Sequence, residues 1–111
     1  MNRARRKNLS LHTEERAVIR TFDLHQDVLT ESKHYVTTLD VGAAGLLVYS
    51  STLVPVGEVL HIDVSLQGMT EPCTLKGVAR SAHRSDNAYG YVIEVDVLAD
   101  NSALHWRRQF H

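Results

Sequence analysis

The chain has 111 residues, 43% hydrophobic and 23% charged, with a formal net charge of −1. These values fit one globular domain with a single modest core. No apolar run approaches the roughly 20 residues that cross a bilayer, and a sequence pI near 6.6 argues against a nucleic-acid binder, which would want a basic face and a pI above about 9.

The start, Met1-Asn2-Arg3-Ala4-Arg5-Arg6-Lys7, is basic but lacks the apolar stretch of a secretory signal. The lone Cys73 cannot form an internal disulfide, which agrees with a reducing compartment. The expectation is a cytoplasmic protein without membrane insertion.

In chain order, residues 1–13 read as a flexible basic arm. Its Arg3, Arg5, Arg6 and Lys7 are either solvated or available to fold over an anionic ligand or a partner. Residues 14–111 read as the folded domain. Arg16 and Arg20 stand four apart, and from Arg20 the pattern is strand after strand. Phe22 and Leu24 alternate with Thr21, Asp23 and His25, and Thr30-Glu31-Ser32 is read as the turn that follows. Residues 34–39 are rich in β-branched side chains. Asp40-Val41-Gly42-Ala43-Ala44-Gly45 is a polar, glycine-containing junction before the apolar run Leu46-Leu47-Val48-Tyr49.

Leu53-Val54-Pro55-Val56-Gly57 reads as a loop. Leu60, Ile62, Val64 and Leu66 then alternate with polar residues, the period of a strand with one buried face. Gln67-Gly68-Met69 is a turn, and residues 74–83 form a long strand in which Gly77 marks a bulge or bend. After a turn at Ser85-Asp86-Asn87, Tyr89, Tyr91, Ile93 and Val95 alternate again. Asp100 or Asn101 can cap a short helix from Ser102 to about Gln109, with Leu104, Trp106 and Phe110 anchoring it on the sheet. Six short strands with turn signals between them predict an all-β, six-stranded antiparallel β-barrel with a short C-terminal helix.

The chemistry-bearing residues point to binding rather than catalysis. Arginine forks suit phosphates and the Hoogsteen edge of guanine, and a carboxylate accepts from the N–H groups of the opposite guanine edge. The bland alternatives are surface pairing of Arg16 and Arg20 with Glu14, Glu15 or Asp23, an Asx-turn role for Asp40, and turn geometry alone for Gly42 and Gly45. The seven histidines show no metal-ligand spacing. There is no GxSxG, no Walker lysine motif and no paired-carboxylate arrangement, so no enzyme activity and no metal are expected.

An RxxxR element followed about twenty residues later by (D/N)xSxxG resembles the PilZ domain family, here as Arg16 to Arg20 and Asp40 to Gly45. Gly77-Val78-Ala79-Arg80 and Tyr89-Gly90-Tyr91-Val92-Ile93-Glu94-Val95 look like the later strands of that family. The resemblance implies a barrel that acts as a cytoplasmic receptor for the bacterial second messenger cyclic di-GMP, changes conformation on binding it and regulates a protein partner. It implies a ligand site of Arg16, Arg20, Asp40, Gly42 and Gly45, with the arginines swinging over the ligand from a loop that leads into the barrel. Cyclic di-GMP would be a ligand and not a cofactor. Gly42 replaces the family's serine and removes one hydroxyl, worth about 0.5–1.5 kcal/mol as a hydrogen bond. The alternative function is a PilZ-type adaptor that has lost nucleotide binding and acts only through protein contacts. The C-terminal helix and the strand edges also leave room for a homodimer.

Overall fold

Alternate residues of the long strands turn inward, and the sheet they build closes on itself. The computed structural model describes residues 10–12, 15–69, 71–86 and 89–110. Its elements are β1 (Ser10–His12), β2 (Arg16–His25), β3 (Val28–Gly42), β4 (Gly45–Ser50), β5 (Val59–Val64), β6 (Cys73–Arg84), β7 (Tyr91–Val97), a 3-10 turn (Asn101–Ala103) and α1 (Leu104–Arg108). The strand order β3-β2-β5-β6-β7-β4 closes where β4 pairs back onto β3. This is the expected six-stranded antiparallel barrel, and closure removes the open sheet edges. β1 adds to the same edge of β3 that β2 uses, with Ser10 opposite Gly42, His12 opposite Asp40 and Arg16 opposite Thr37. Most of the basic arm lies outside the described residues, and Ser10–His12 is the part of it that takes up this strand.

The inward set is apolar, as burial of one strand face requires. Ile19, Leu60, Ile62, Leu75 and Ile93 fill the centre, and Trp106 and Phe110 close it from the C-terminal segment. Two bulges break the alternation. Leu39 is the extra residue of β3 against β4, and Arg80 is the extra residue of β6 against β7. An inserted residue reverses the faces beyond it. Val36 and Thr38 point inward before the first bulge and Val41 after it, so Asp40 and Gly42 turn outward. The buried Thr38 hydroxyl accepts from Glu15 N at 2.8 Å and donates to Glu15 O at 3.2 Å, which satisfies it where β1 gives way to β2.

Four local expectations change. The first turn is at Gln26-Asp27, not Thr30-Glu31-Ser32. Both residues take left-handed φ, 53° and 66°, as a two-residue hairpin turn of the I′ type requires. Neither is glycine or asparagine, so the usual signal is missing. Residues 30–32 instead pair in register with β2, Glu31 opposite Phe22 and Ser32 opposite Thr21. Gly77 is regular strand, opposite Leu60 and Val97. A Cβ there would stand 2.8 Å from Asp96 O and from Val95 Cγ1, so the glycine serves close packing and the bulge falls at Arg80. The helix is shorter than expected because its first turn is 3-10, capped by Asp100 Oδ1 accepting from Ser102 N at 3.0 Å. Leu104 is then half exposed, and Ala103, Trp106 and Phe110 are the anchors.

Candidate functional site

The junction from β3 to β4 forms one wall of a groove on the outer surface of the barrel. The hollow has a volume of about 370 Å³ and is lined by residues 40–47 with Arg80, Glu94, Val95 and Asp96. Each wall follows from a local rule. The bulge at Leu39 turns Asp40 outward, and the bulge at Arg80 sets that side chain over the outward positions of β7. Gly45 lets β4 lie against β7, because a Cβ there would stand 2.8 Å from Val95 O. The floor is pinned from below, where Trp106 Nε1 donates to Gly42 O at 2.9 Å.

Arg80 spans two carboxylates, 3.3 Å from Glu94 Oε2 and 3.6 Å from Asp96 Oδ1, and its side chain is 61% exposed. Exposed pairs of this kind are worth about 0–1 kcal/mol, so the guanidinium can exchange them for another anion. Ser81 Oγ donates to Glu94 Oε1 at 2.7 Å and holds that carboxylate in place. The groove thus sets three carboxylates, Asp40, Glu94 and Asp96, against one guanidinium. A dianionic ligand here requires further positive charge.

The structure divides the five residues singled out from the sequence. Asp40, Gly42 and Gly45 line the groove. Arg16 and Arg20 stand on β2 and not in a loop leading into the barrel. Arg20 is opposite Lys33, seven residues from Asp40 along β3, or about 23 Å at roughly 3.3 Å per residue. It is already engaged. Nη2 donates to Asp63 Oδ1 at 3.1 Å, the buried Nε approaches Asp63 Oδ2 at 2.8 Å off the hydrogen-bonding direction, and Nη1 lies 3.8 Å from Glu31 Oε2. Thr74 Oγ1 donates to the same Asp63 at 2.7 Å. Arg16, opposite Thr37, is three residues along β3 from Asp40 and lines a second hollow with Val18, Tyr35, Asp63 and Pro72. Hence the two arginines do not converge with Asp40 in one pocket.

Sequence reasoning missed Arg80, Glu94 and Asp96 as groove residues. Their signal was present in the alternation, since Glu94 and Asp96 flank the inward Val95. The bulge that aims Arg80 has no such mark. Among the described residues no three His, Cys, Asp or Glu side chains gather as a metal site, and no helix is long and apolar enough to cross a membrane.

No model of a known protein family matches the sequence, and no curated protein matches it either. Solved structures do match. The PilZ domain of YcgR from Escherichia coli, determined with c-di-GMP, superposes with a TM-score of 0.59 at 15% identity over 96% of this chain and 86% of that one. The fold is that of a PilZ domain. The Bacillus subtilis inhibitor of motility, MotI/DgrA, matches with a TM-score of 0.60 at 16% identity over 95% of this chain. The present chain spans 51% of that protein's length. The PilZ-like architecture thus rests on shared geometry rather than on sequence identity.

Proposed function

We propose that this chain is a non-enzymatic receptor for cyclic di-GMP that binds the nucleotide at the outer groove of residues 40–47 and regulates a protein partner. The observation that carries the reading is the junction itself. It sets an outward carboxylate, Asp40, beside two glycines and the exchangeable guanidinium of Arg80, on a fold shared with a PilZ domain determined with c-di-GMP. Asp40 accepts from the Watson–Crick edge of a guanine, and Gly42 and Gly45 let the backbone approach the ligand.

The missing positive charge comes from the arm. The chain that carries Arg3, Arg5, Arg6 and Lys7 joins the sheet at Ser10, opposite Gly42. Four extended residues span at most about 14 Å, so Arg6 and Lys7 are tethered within reach of the groove. Arg16 is the nearer of the two strand arginines, while Arg20 serves the barrel. Engagement of the arm's basic side chains by the ligand gives the conformational change that alters partner affinity. The excess of carboxylates in the groove favours a second reading, an adaptor without nucleotide binding.

Titration calorimetry with cyclic di-GMP, beside cyclic di-AMP and GTP, separates the two. The receptor reading expects micromolar or tighter binding of cyclic di-GMP alone, with losses of about tenfold or more in Asp40→Ala, Arg80→Ala and the paired Arg6→Ala/Lys7→Ala variant. No heat with any nucleotide leaves the adaptor.

A further inference from the structure

Beyond the row where Arg20 meets His61 of β5, the backbone of the β2–β3 hairpin pairs only with itself, and Phe22 still meets the His61 ring edge-on with centroids 5.2 Å apart. A two-stranded hairpin is marginal alone in water, yet this one exposes Leu24 (71%) and Leu29 (66%) as a cross-strand pair. Cross-strand partners share a face. Outward, that face runs from the Leu24–Leu29 row through Phe22–Glu31 and Arg20–Lys33 to Val18–Tyr35. At its far end lies the second hollow, of about 580 Å³, whose walls include Val18, Tyr35 and Pro72. An apolar knob and a mainly apolar hollow, with Arg16 and Asp63 also in its wall, therefore flank a charged band on one surface. In that band Lys33 has no ion-pair partner among the described residues, and Glu31 is held only loosely, 3.8 Å from Arg20.

We propose that this face joins two copies of the chain about a two-fold axis that crosses the strands between the Arg20–Lys33 and Phe22–Glu31 rows. The geometry is self-complementary, as an isologous interface demands. Reversal of the rows sets Lys33 against the partner's Glu31, and brings Leu24 and Leu29 onto the partner's Val18 and Tyr35 at the mouth of its hollow. Arg20 comes over the partner's Phe22, a cation–π placement. Knob fills hollow twice, and each unlike-charge pair occurs twice. The groove of residues 40–47 lies outside this surface, so the dimer proposal does not rest on nucleotide binding.

Sedimentation velocity over a concentration series to about 1 mM tests it with the full chain. The wild type is expected to dimerise. Leu24→Glu is expected to weaken the dimer by at least about tenfold while the melting curve stays that of a folded barrel. Lys33→Glu and Glu31→Lys, each setting like charges opposite one another, are expected to be monomeric singly and to form a one-to-one dimer when mixed, because both pairs are then complementary. A wild type that stays monomeric throughout, a dimer that survives Leu24→Glu, or charge variants that stay monomeric on mixing would each overturn the proposal.

Discussion

The indole of Trp106 donates through Nε1 to the carbonyl of Gly42 at 2.9 Å, joining positions 64 residues apart. This bond ties the C-terminal helix to the strand that forms the groove floor. Trp106 is fully buried and packs on Phe110 with ring centroids 5.0 Å apart. The helix is thus a plug whose position sets that of the groove. Trp106→Phe keeps most of the ring but leaves the Gly42 carbonyl without its donor, and is expected to cost about 1–3 kcal/mol. Trp106→Ala is expected to cost about 3–5 kcal/mol. Urea unfolding of both variants measures this.

At the groove, Gly42 and Gly45 separate binding from packing. Gly42→Ser restores the hydroxyl found in the PilZ pattern and is expected to tighten cyclic di-GMP by up to about tenfold. Gly45→Ala forces a Cβ to within 2.8 Å of Val95 O and is expected to destabilise the barrel by about 1–3 kcal/mol. Calorimetry reads the first and denaturant midpoints the second.

Arg20 is expected to matter for the barrel and not for the ligand. A double-mutant cycle of Arg20→Met with Asp63→Asn should return a coupling of about 0.5–1 kcal/mol, since both side chains keep some exposure, 25% and 34%. Nucleotide affinity in Arg20→Met should stay within about twofold of wild type, because roughly 23 Å of strand separates it from Asp40.

The hairpin turn stores strain that a glycine would release. Asp27 holds a φ of 66°, a left-handed conformation that aspartate tolerates better than most residues but that glycine adopts without a Cβ penalty. Asp27→Gly removes that penalty at some cost in unfolded-chain entropy. The net expectation is a gain of about 0.5–1 kcal/mol by thermal or urea unfolding.

Cys73 supplies a pH dependence. It is a buried strand residue whose thiol is pushed above its ordinary value by burial. The unfolded chain therefore loses the proton first. Its contribution to stability is whole below the ordinary thiol pKa of about 8.5 and is lost as pH rises through the raised value. Urea midpoints at pH 7.5 and about 9.5 should show a larger fall for wild type than for Cys73→Ala, and alkylation of the native thiol should be slow at pH 7.5.

Alternation carried the strands that the structure sets at Val59–Val64 and Tyr91–Val97, although Leu66 and the exposed Tyr89 fall outside them, and local signals carried the glycine turn at Gly68 and the cap at Asp100, because each depends on neighbours within a few residues. Local chemistry also marked residues 40–45 as a polar junction, and the structure sets them along the wall of a groove. The partners of Arg16 and Arg20 were not legible. A spacing of four residues says nothing about which strand lies alongside, and pairing with β5 set Arg20 on Asp63 rather than beside Asp40. The I′ turn at Gln26-Asp27 and the bulges at Leu39 and Arg80 were likewise decided by the closed sheet. Ring closure fixes register for all six strands at once, and residues that suit their sites poorly are held there by the packing of the rest.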